Sequence, residues 1–396
     1  MMEPAGPGVP TPRAFLRVGG ATLARHQLGL ALAMECQRIV CISRQVGPEI
    51  IALQHDAENA GAQFHVIAQA RKLAGLVTAN DELLVISEGL LVAQRDALQL
   101  LEGSHAVLVL PADTGTGAGF ERIDLNHASA GLMRIPGRFV ERLYELPGDC
   151  DVPSALTRIA LQAGVAMREV PLASREGAKW CVVRDEAEAH AIERDWIRLH
   201  IAHARGTSPA AVIARLGVMT FGPSLLHSQS GTKLIGRASV VLLLFALGAG
   251  WLELIVTGFV LCAIATILGQ AASMLRSVER NALNLPVPAL SSGAIFGWAL
   301  DCTLILLVFW SIPLTPWETI MPWGTVPERA FAPIVLLLMR RLVVRLHDGN
   351  WVGWVRDRTL LCVALAIAAS MGMAHEVVQI LAIVIALAGL LVPDRN

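Results

Sequence analysis

Charge is scarce in this sequence. Asp, Glu, Lys and Arg make up 16% of its 396 residues, and few of them lie beyond Arg237. A composition step of that kind marks a domain boundary, and the length fits two domains. The net charge of −1 gives no electrostatic basis for a nucleic-acid partner, so none is expected. The seven cysteines, at 36, 41, 150, 181, 262, 302 and 362, include no C-x-x-C pair. Their spacing argues against a zinc site or a disulfide framework and for reduced thiols used as small hydrophobes. Met1–Pro10 has no basic stretch followed by an apolar core. No secretory signal is expected there, and the first domain is expected in the cytoplasm.

What is present after Gly236 is apolar sequence. Six segments stand out: Ala238–Ala249, Leu252–Met274, Leu290–Ile312, Ala330–Val344, Thr359–Met373 and Val377–Val392. Several fall short of the ~20 residues that a spanning helix needs, so their ends must extend into the flanks. Basic residues fall on alternate sides of these segments. Arg276 and Arg280 follow the second; Arg340 and Arg341, near the end of the fourth, with Arg345, Arg356 and Arg358 mark the side between the fourth and the fifth; Arg395 follows the sixth. The loop after the third has Glu318 and Glu328 against Arg329, with Trp317 and Trp323 as interface anchors. The bias of Lys and Arg toward the cytoplasmic side then predicts six spans with both termini in the cytoplasm, a multi-pass protein of the cell's inner membrane. The expected division is an α/β domain over 1–205, a juxtamembrane amphipathic linker over 206–237 and a helical membrane domain over 238–396. Phe221–Arg237 reads either as a helix in the headgroup plane or as a basic flank.

Asp301 is the one acid well inside a span, about eleven residues into the third segment. An intramembrane carboxylate is costly and faces a cavity or a partner. It is either a metal or substrate ligand, or the counter-ion of an arginine such as Arg340 or Arg341.

The first half alternates short β-type runs with helical ones. Arg38–Ser43, Gln63–Ile67, Glu82–Ser87 and Ala106–Leu110 read as strands; Leu23–Met34, Pro48–Ala60 and Val92–Leu101 read as helices. The alternation predicts βαβ crossovers and a mainly parallel, Rossmann-type sheet. Ligands of such sheets sit at the carboxyl ends of the strands, which singles out Ser87, Glu88 and Gly89. His26, His200 and His203, like His190, Glu193 and Arg194, fit solvated helix faces, and Asp149 and Asp151 fit turn chemistry.

Thr11–Leu28 (TPRAFLRVGGATLARHQL) resembles a motif of the sugar-nucleotidyltransferase superfamily: Pro-Lys, apolar residues, a Gly-Gly turn, then a helix. Arg13 stands where that family has a phosphate-contacting lysine, ahead of Gly19 and Gly20. Glu82–Val92 (ELLVISEGLLV) resembles the family's central strand, with Glu88 where an acid holds the nucleotide's metal. Ala130–Pro136 resembles its sugar-contacting strand, and Trp180–Glu193 its closing strand and helix, with Val182 and Arg184 where an acid is expected. The family's opening strand and Gly-rich phosphate loop are represented only by Ala5-Gly6-Pro7-Gly8.

A nucleotidyltransferase-like domain ahead of six spans resembles bifunctional enzymes that make a CDP-alcohol and pass its phospho-alcohol to a membrane acceptor. The second half resembles the CDP-alcohol phosphotransferases only in Gly297-Trp298-Ala299-Leu300-Asp301, a G-x3-D. Ile305 stands in place of the final acid, the D-x-x-D-G portion is absent, and Arg276 stands further from Gly297 than the motif's arginine does. The resemblance implies nucleotide or phosphate contacts at Arg13, Gly19, Gly20 and Glu88, Mg2+ at Glu88 and Asp301, and a membrane-domain site at Gly297, Asp301 and Arg276. It also implies a nucleotide-activated alcohol and a membrane lipid as ligands, and a homodimer through the membrane helices. Two functions stay open: a transferase of phospholipid head-group metabolism, or a catalytically inactive subunit or regulator of a lipid-synthesis complex. A transporter with a cytoplasmic domain is a third class, but Asp301 is its only clear intramembrane polar residue.

Overall fold

Short hairpins, helices and strands alternate along the first half. The structure, a computed structural model, describes residues 3–6, 11–147, 150–202, 208–227, 231–281, 291–312, 322–346 and 350–391. Pro7, Gly8, Asp149, His203, Trp317, Glu318 and Arg395 lie outside the described residues, as do the side chains of His227, Trp323, Glu328 and Arg345. The chain divides into two units: Met1–His200 with Val278–Leu285, and Ile201–Ser277 with Pro286–Asn396.

The first unit opens with a hairpin of β1 (Arg17–Val18) and β2 (Ala21–Thr22). Its two-residue turn is Gly19-Gly20, with φ of +62° and +83°. Two successive positive φ values suit a tight hairpin and need glycine. α1 (Leu23–Ala33) follows at once, because the Thr22 side chain accepts the Arg25 N–H and caps it. Then come β3 (Arg38–Ile42), α2 (Pro48–Asn59), β4 (Gln63–Ile67), β5 (Glu82–Ile86), β6 (Leu90–Val92), α3 (Gln94–Leu101), β7 (Ala106–Pro111) and α4 (Ala112–Gly117). The unit continues with β8 (His127–Pro136), α5 (Val152–Gln162), β9 (Met167–Glu169), α6 (Leu172–Arg175), β10 (Trp180–Val182) and α7 (Glu186–Ala202). Each strand and helix expected from the sequence is present, with ends shifted by no more than two residues.

The pairing differs from the expected parallel sheet. β3 and β4 are parallel, as are β7 and β9, but β8 lies antiparallel between β5 and β7 in the order β5-β8-β7-β9. The sheet is therefore mixed. The apolar run of β8 suits either direction, and hydrophobic pattern does not encode it. One hydrophobic core joins Val40, Ile42 and Ile67 to Val85, Val107 and Met133 beneath α5. Smaller cores around Leu28 and Leu53, and around Leu30 and Leu101, lie under α1, α2 and α3.

The second unit is helical among the described residues: α8 (Pro209–His227), α9 (Gly231–Trp251), α10 (Ile255–Asn281, which belongs to it up to Ser277), α11 (Ser292–Ser311), α12 (Pro322–Leu346), α13 (Asn350–Arg356), α14 (Arg358–Ser370) and α15 (Ala374–Leu391). Most of the described residues of the six apolar segments fall on helices, namely α9, α10, α11, α12, α14 and α15. Among the described residues, three helices are long and apolar enough to cross a membrane: α9, α10 over Ile255–Val278, and α11. α14 has 13 residues, roughly 20 Å at about 1.5 Å per residue, short of a ~30 Å hydrocarbon core. α12 carries Arg329, Arg340 and Arg341 along its length. The three candidate spans turn large apolar side chains outward, among them Val241, Phe245, Val260, Ile264 and Ile295. Such a surface suits hydrocarbon rather than water. The expected linker over 206–237 is occupied by α8 and the start of α9, with Ala210, Ala214 and Val218 buried and Val212, Leu216 and Phe221 exposed.

Candidate functional site

In the first unit, β3 and β5 both line a cavity of about 660 Å³. Its wall at the carboxyl end of β5 includes Glu3, Arg13, Ser87 and Glu88. Arg13 forms an ion pair with Glu3. The Glu88 carboxylate accepts the Glu3 N–H at 3.2 Å and the Ala14 N–H at 3.4 Å. Gln27 fixes the loop that carries Glu88, donating to the carbonyls of Ser87 and Leu90 at 2.9 Å each. The structure thus brings Arg13 and Glu88 to one cavity, at the strand end where a ligand was expected.

Gly19 and Gly20 are placed elsewhere, outside the cavity wall. The Gly19 N–H is donated to Glu193 at 3.1 Å. This corrects the expectation that Glu193 faces water: it is fully buried, because a face of α7 packs on the hairpin and the turn amide needs an acceptor. His190 and Arg194 are exposed, as expected. His26 is likewise not on a solvated face. It is 6% exposed, hydrogen-bonded to the Val18 carbonyl at 2.9 Å and edge-on to Trp196. Burial lowers its pKa from 6.5 to about 4. A histidine on an apolar helix face that can reach a hairpin carbonyl becomes a core residue. Asp151 caps α5 by accepting the Ser154 N–H at 3.0 Å, which is turn chemistry as expected.

Mg2+ needs near-octahedral oxygen coordination, supplied in part by carboxylates. No group of three His, Cys, Asp or Glu side chains placed to hold a metal occurs among the described residues. Beside Glu88, the nearby acid Glu3 is committed to Arg13. The donor set around Glu88 does not fit a resident Mg2+.

In the second unit, Asp301 is 5% exposed on α11. Two arginines hold it. Arg358, at the first turn of α14, donates Nε to Oδ1 at 2.8 Å and Nη2 to Oδ2 at 3.1 Å. Arg341 on α12 donates Nη2 to Oδ2 at 2.6 Å. The Arg358 contact is a fork on both carboxylate oxygens, the strongest geometry for this pair. Arg341 also lies over the Trp298 ring, 3.4 Å from its centroid, a cation–π contact. Gly297 makes room for the clamp, since a Cβ there would lie 3.2 Å from Arg358 Nη2. Arg340, the other arginine considered as a partner, instead donates to the carbonyls of Val355 and Arg356 at 2.9 and 3.2 Å.

The G-x3-D residues are therefore brought together, but around guanidinium groups. A carboxylate that accepts three charge-assisted bonds has little left to offer a metal, so Asp301 does not fit as an Mg2+ ligand either. Arg276 stands apart from this cluster and donates to Ser292 Oγ at 2.5 Å. Arg358 was missed as a functional residue because the sequence shows it only as loop charge. A signal was available in Asp357-Arg358 ahead of an apolar run. Asp357 caps α14, accepting the Thr359 N–H at 2.8 Å, and so fixes the start of the helix that carries Arg358. The chain matches no protein-family model and no curated protein.

Proposed function

We propose that this chain is a membrane-anchored protein of phospholipid head-group metabolism that has exchanged transferase chemistry for a structural or regulatory role. The observation that carries the proposal is the double-arginine clamp on Asp301. Phosphotransfer from a CDP-alcohol needs free carboxylates to hold metal on the diphosphate and one to act as base. Here the sole acid of the G-x3-D is spent on guanidinium groups, and Ile305 cannot take a proton. In this reading the first unit is of nucleotidyltransferase-like, Rossmann type and keeps a cavity with Arg13 and Glu88 at its end; a nucleotide-activated alcohol held there without turnover would have to displace Glu3 from Arg13.

The same proposal has six membrane crossings in the inner membrane, both termini in the cytoplasm, bound membrane lipid and a homodimer through the membrane helices. Alternating arginines support the topology. Purified full-length protein with Mg2+, CTP and a panel of sugar and polyol phosphates is expected to release no pyrophosphate, and no CMP when CDP-alcohol and lipid vesicles are supplied. Robust release of either, lost in Glu88→Ala or Asp301→Asn respectively, overturns the proposal.

A further inference from the structure

Arg341 and Arg358 carry more charge than Asp301 absorbs. Two guanidinium groups meet one carboxylate, which leaves one positive charge over. The neighbouring charges do not cancel it, because Arg340 and Asp357 are one of each sign. Arg340 is buried and turns its donors to two carbonyls at the end of α13. Asp357 is buried too, and its carboxylate accepts the N–H groups of Ala210, Thr359 and Leu360. An unbalanced cation in apolar surroundings is costly and calls for an anion. The donors for it are in place. Asp301 takes Nε and Nη2 of Arg358 and Nη2 of Arg341. Among the described residues, Nη1 of Arg358 and both Nε and Nη1 of Arg341 meet no acceptor, and none of the three is buried. Trp298 backs Arg341, and Gly297 leaves Arg358 open, since a Cβ there would lie 3.5 Å from its Nη1. Guanidinium edges of this kind match the oxygens of a phosphate.

The surroundings favour a lipid phosphate over a free one. Arg341 lies near the end of α12 and Arg358 opens α14. Trp298 is exposed beside them, and Trp is a side chain that favours the headgroup level. Two helical faces lead away from this point. On α12, Leu338 and Ile334 lie three and seven residues before Arg341; on α11, Cys302 and Ile305 lie four and seven after Trp298. These spacings put each pair on the face of its helix that carries Arg341 or Trp298. α11 and α12 run in opposite directions, since Arg341 meets Asp301 while Arg329 meets the Ile312 carbonyl. Both pairs therefore extend to the same side of the arginines. Leu338, Ile334 and Cys302 are exposed and Ile305 is half-buried. Together they form an apolar strip along the joint of α11 and α12, which suits an acyl chain.

We propose that Arg341 and Arg358, backed by Trp298, bind the phosphate of a membrane phospholipid whose acyl chain lies along this strip. This names a site for the membrane lipid of the proposed function. It rests on the membrane reading and not on the loss of transferase chemistry, which pyrophosphate and CMP release test separately.

The test uses the full chain, delipidated in a non-ionic detergent. Native mass spectrometry reads the binding of dioleoylphosphatidylglycerol and of dioleoylglycerol, which has the same chains and no phosphate, with inorganic phosphate as competitor. Phosphatidylglycerol is expected to bind about tenfold or more tightly than dioleoylglycerol. Arg341→Gln, which leaves the Arg358 fork on Asp301, should lose that preference, and Arg341→Lys should keep part of it. Alkylation of Cys302 in the parent protein, read on its own peptide, should slow several-fold with phosphatidylglycerol and not with inorganic phosphate. Equal affinity for the two lipids overturns the proposal, as does an unchanged preference in Arg341→Gln. Should that variant fail to unfold cooperatively, the comparisons on the parent protein decide alone. Full competition by inorganic phosphate with no protection of Cys302 assigns the donors to a soluble phosphate and overturns the proposal too.

Discussion

Replacing Asp301 by Asn tests whether the acid buried among α11, α12 and α14 is structural. The substitution keeps shape and removes one charge. Asp301 accepts three hydrogen bonds, two from Arg358 and one from Arg341. An amide can accept on its oxygen, but its NH2 would then face a guanidinium donor. Removing one partner of a buried ion pair costs about 3–5 kcal/mol. Both arginine side chains are 31% exposed, against 7% for Asp301, so water recovers part of that loss. An expected cost of about 2–4 kcal/mol results. For a unit of this size that lowers the unfolding midpoint by roughly 5–15 °C. Adding Arg358→Met removes one of the two stranded cations while Arg341 keeps Trp298, so the double variant should regain about half of the loss. Thermal unfolding of the full chain in detergent, with and without Mg2+, is the assay. A metal bound at a hundred times its Kd would stabilise by about 2.7 kcal/mol. The reasoning is refuted if Asp301→Asn unfolds at the parental midpoint, or if Mg2+ raises the midpoint of the parent and not of the variant.

His26 has a folded pKa of about 4 against 6.5 unfolded, so the unfolded chain binds the extra proton as pH falls between those values, and stability drops. Relative to pH 7.5, pH 5 should cost about 2 kcal/mol through this group; midpoints measured across that range should fall less steeply in His26→Gln, and equal slopes would remove the claim. Asp357 is 3% exposed and accepts the N–H groups of Thr359 and Ala210 at 2.8 and 2.9 Å; Asp357→Ala should lose about 1–2 kcal/mol, read as a lowered midpoint with faster exchange at the start of α14. A Cβ at Gly137 would collide with the Thr78 carbonyl oxygen and lie 2.9 Å from that of Asp81; Gly137→Ala should cost about 3 kcal/mol or more, and expression at the parental level with an unchanged midpoint would contradict it.

Local structure in this chain was legible wherever one element could be read without its neighbours. Gln63–Ile67 is a strand with the ends its apolar run suggested, and Thr22, a capping residue before an apolar period, starts α1. What stayed hidden was pairing. Nothing in Ala128–Ile135 says that this run lies antiparallel between two strands, since a doubly covered strand reads the same in either direction. The buried roles of His26 and Glu193 were hidden for a related reason. Each is fixed by a backbone group far away in sequence or across a turn, Val18 for the first and Gly19 for the second. A polar residue on a helix reads as solvated until the partner that buries it is known.

Asp301 shows the same limit where it bears on function. Its depth in an apolar helix made it a site, and the sequence supplied both a metal-ligand and a counter-ion role for it. The choice rests on which side chains the bundle places around it, and three features act together. Gly297 omits the side chain that would crowd Arg358, Trp298 provides a ring for Arg341, and the Asp357 cap fixes the start of the helix that carries Arg358. Each is an ordinary packing feature alone. Together they surround one carboxylate with two cations from two other helices, a neutralisation that an apolar medium demands more strongly than water does. A site kept for metal chemistry would gain nothing from a second arginine, because that arginine competes with the metal for the same oxygens. A bundle that needs three helices tied at one point gains specificity from it, and that is the stronger physical reason for Asp301 to be where it is.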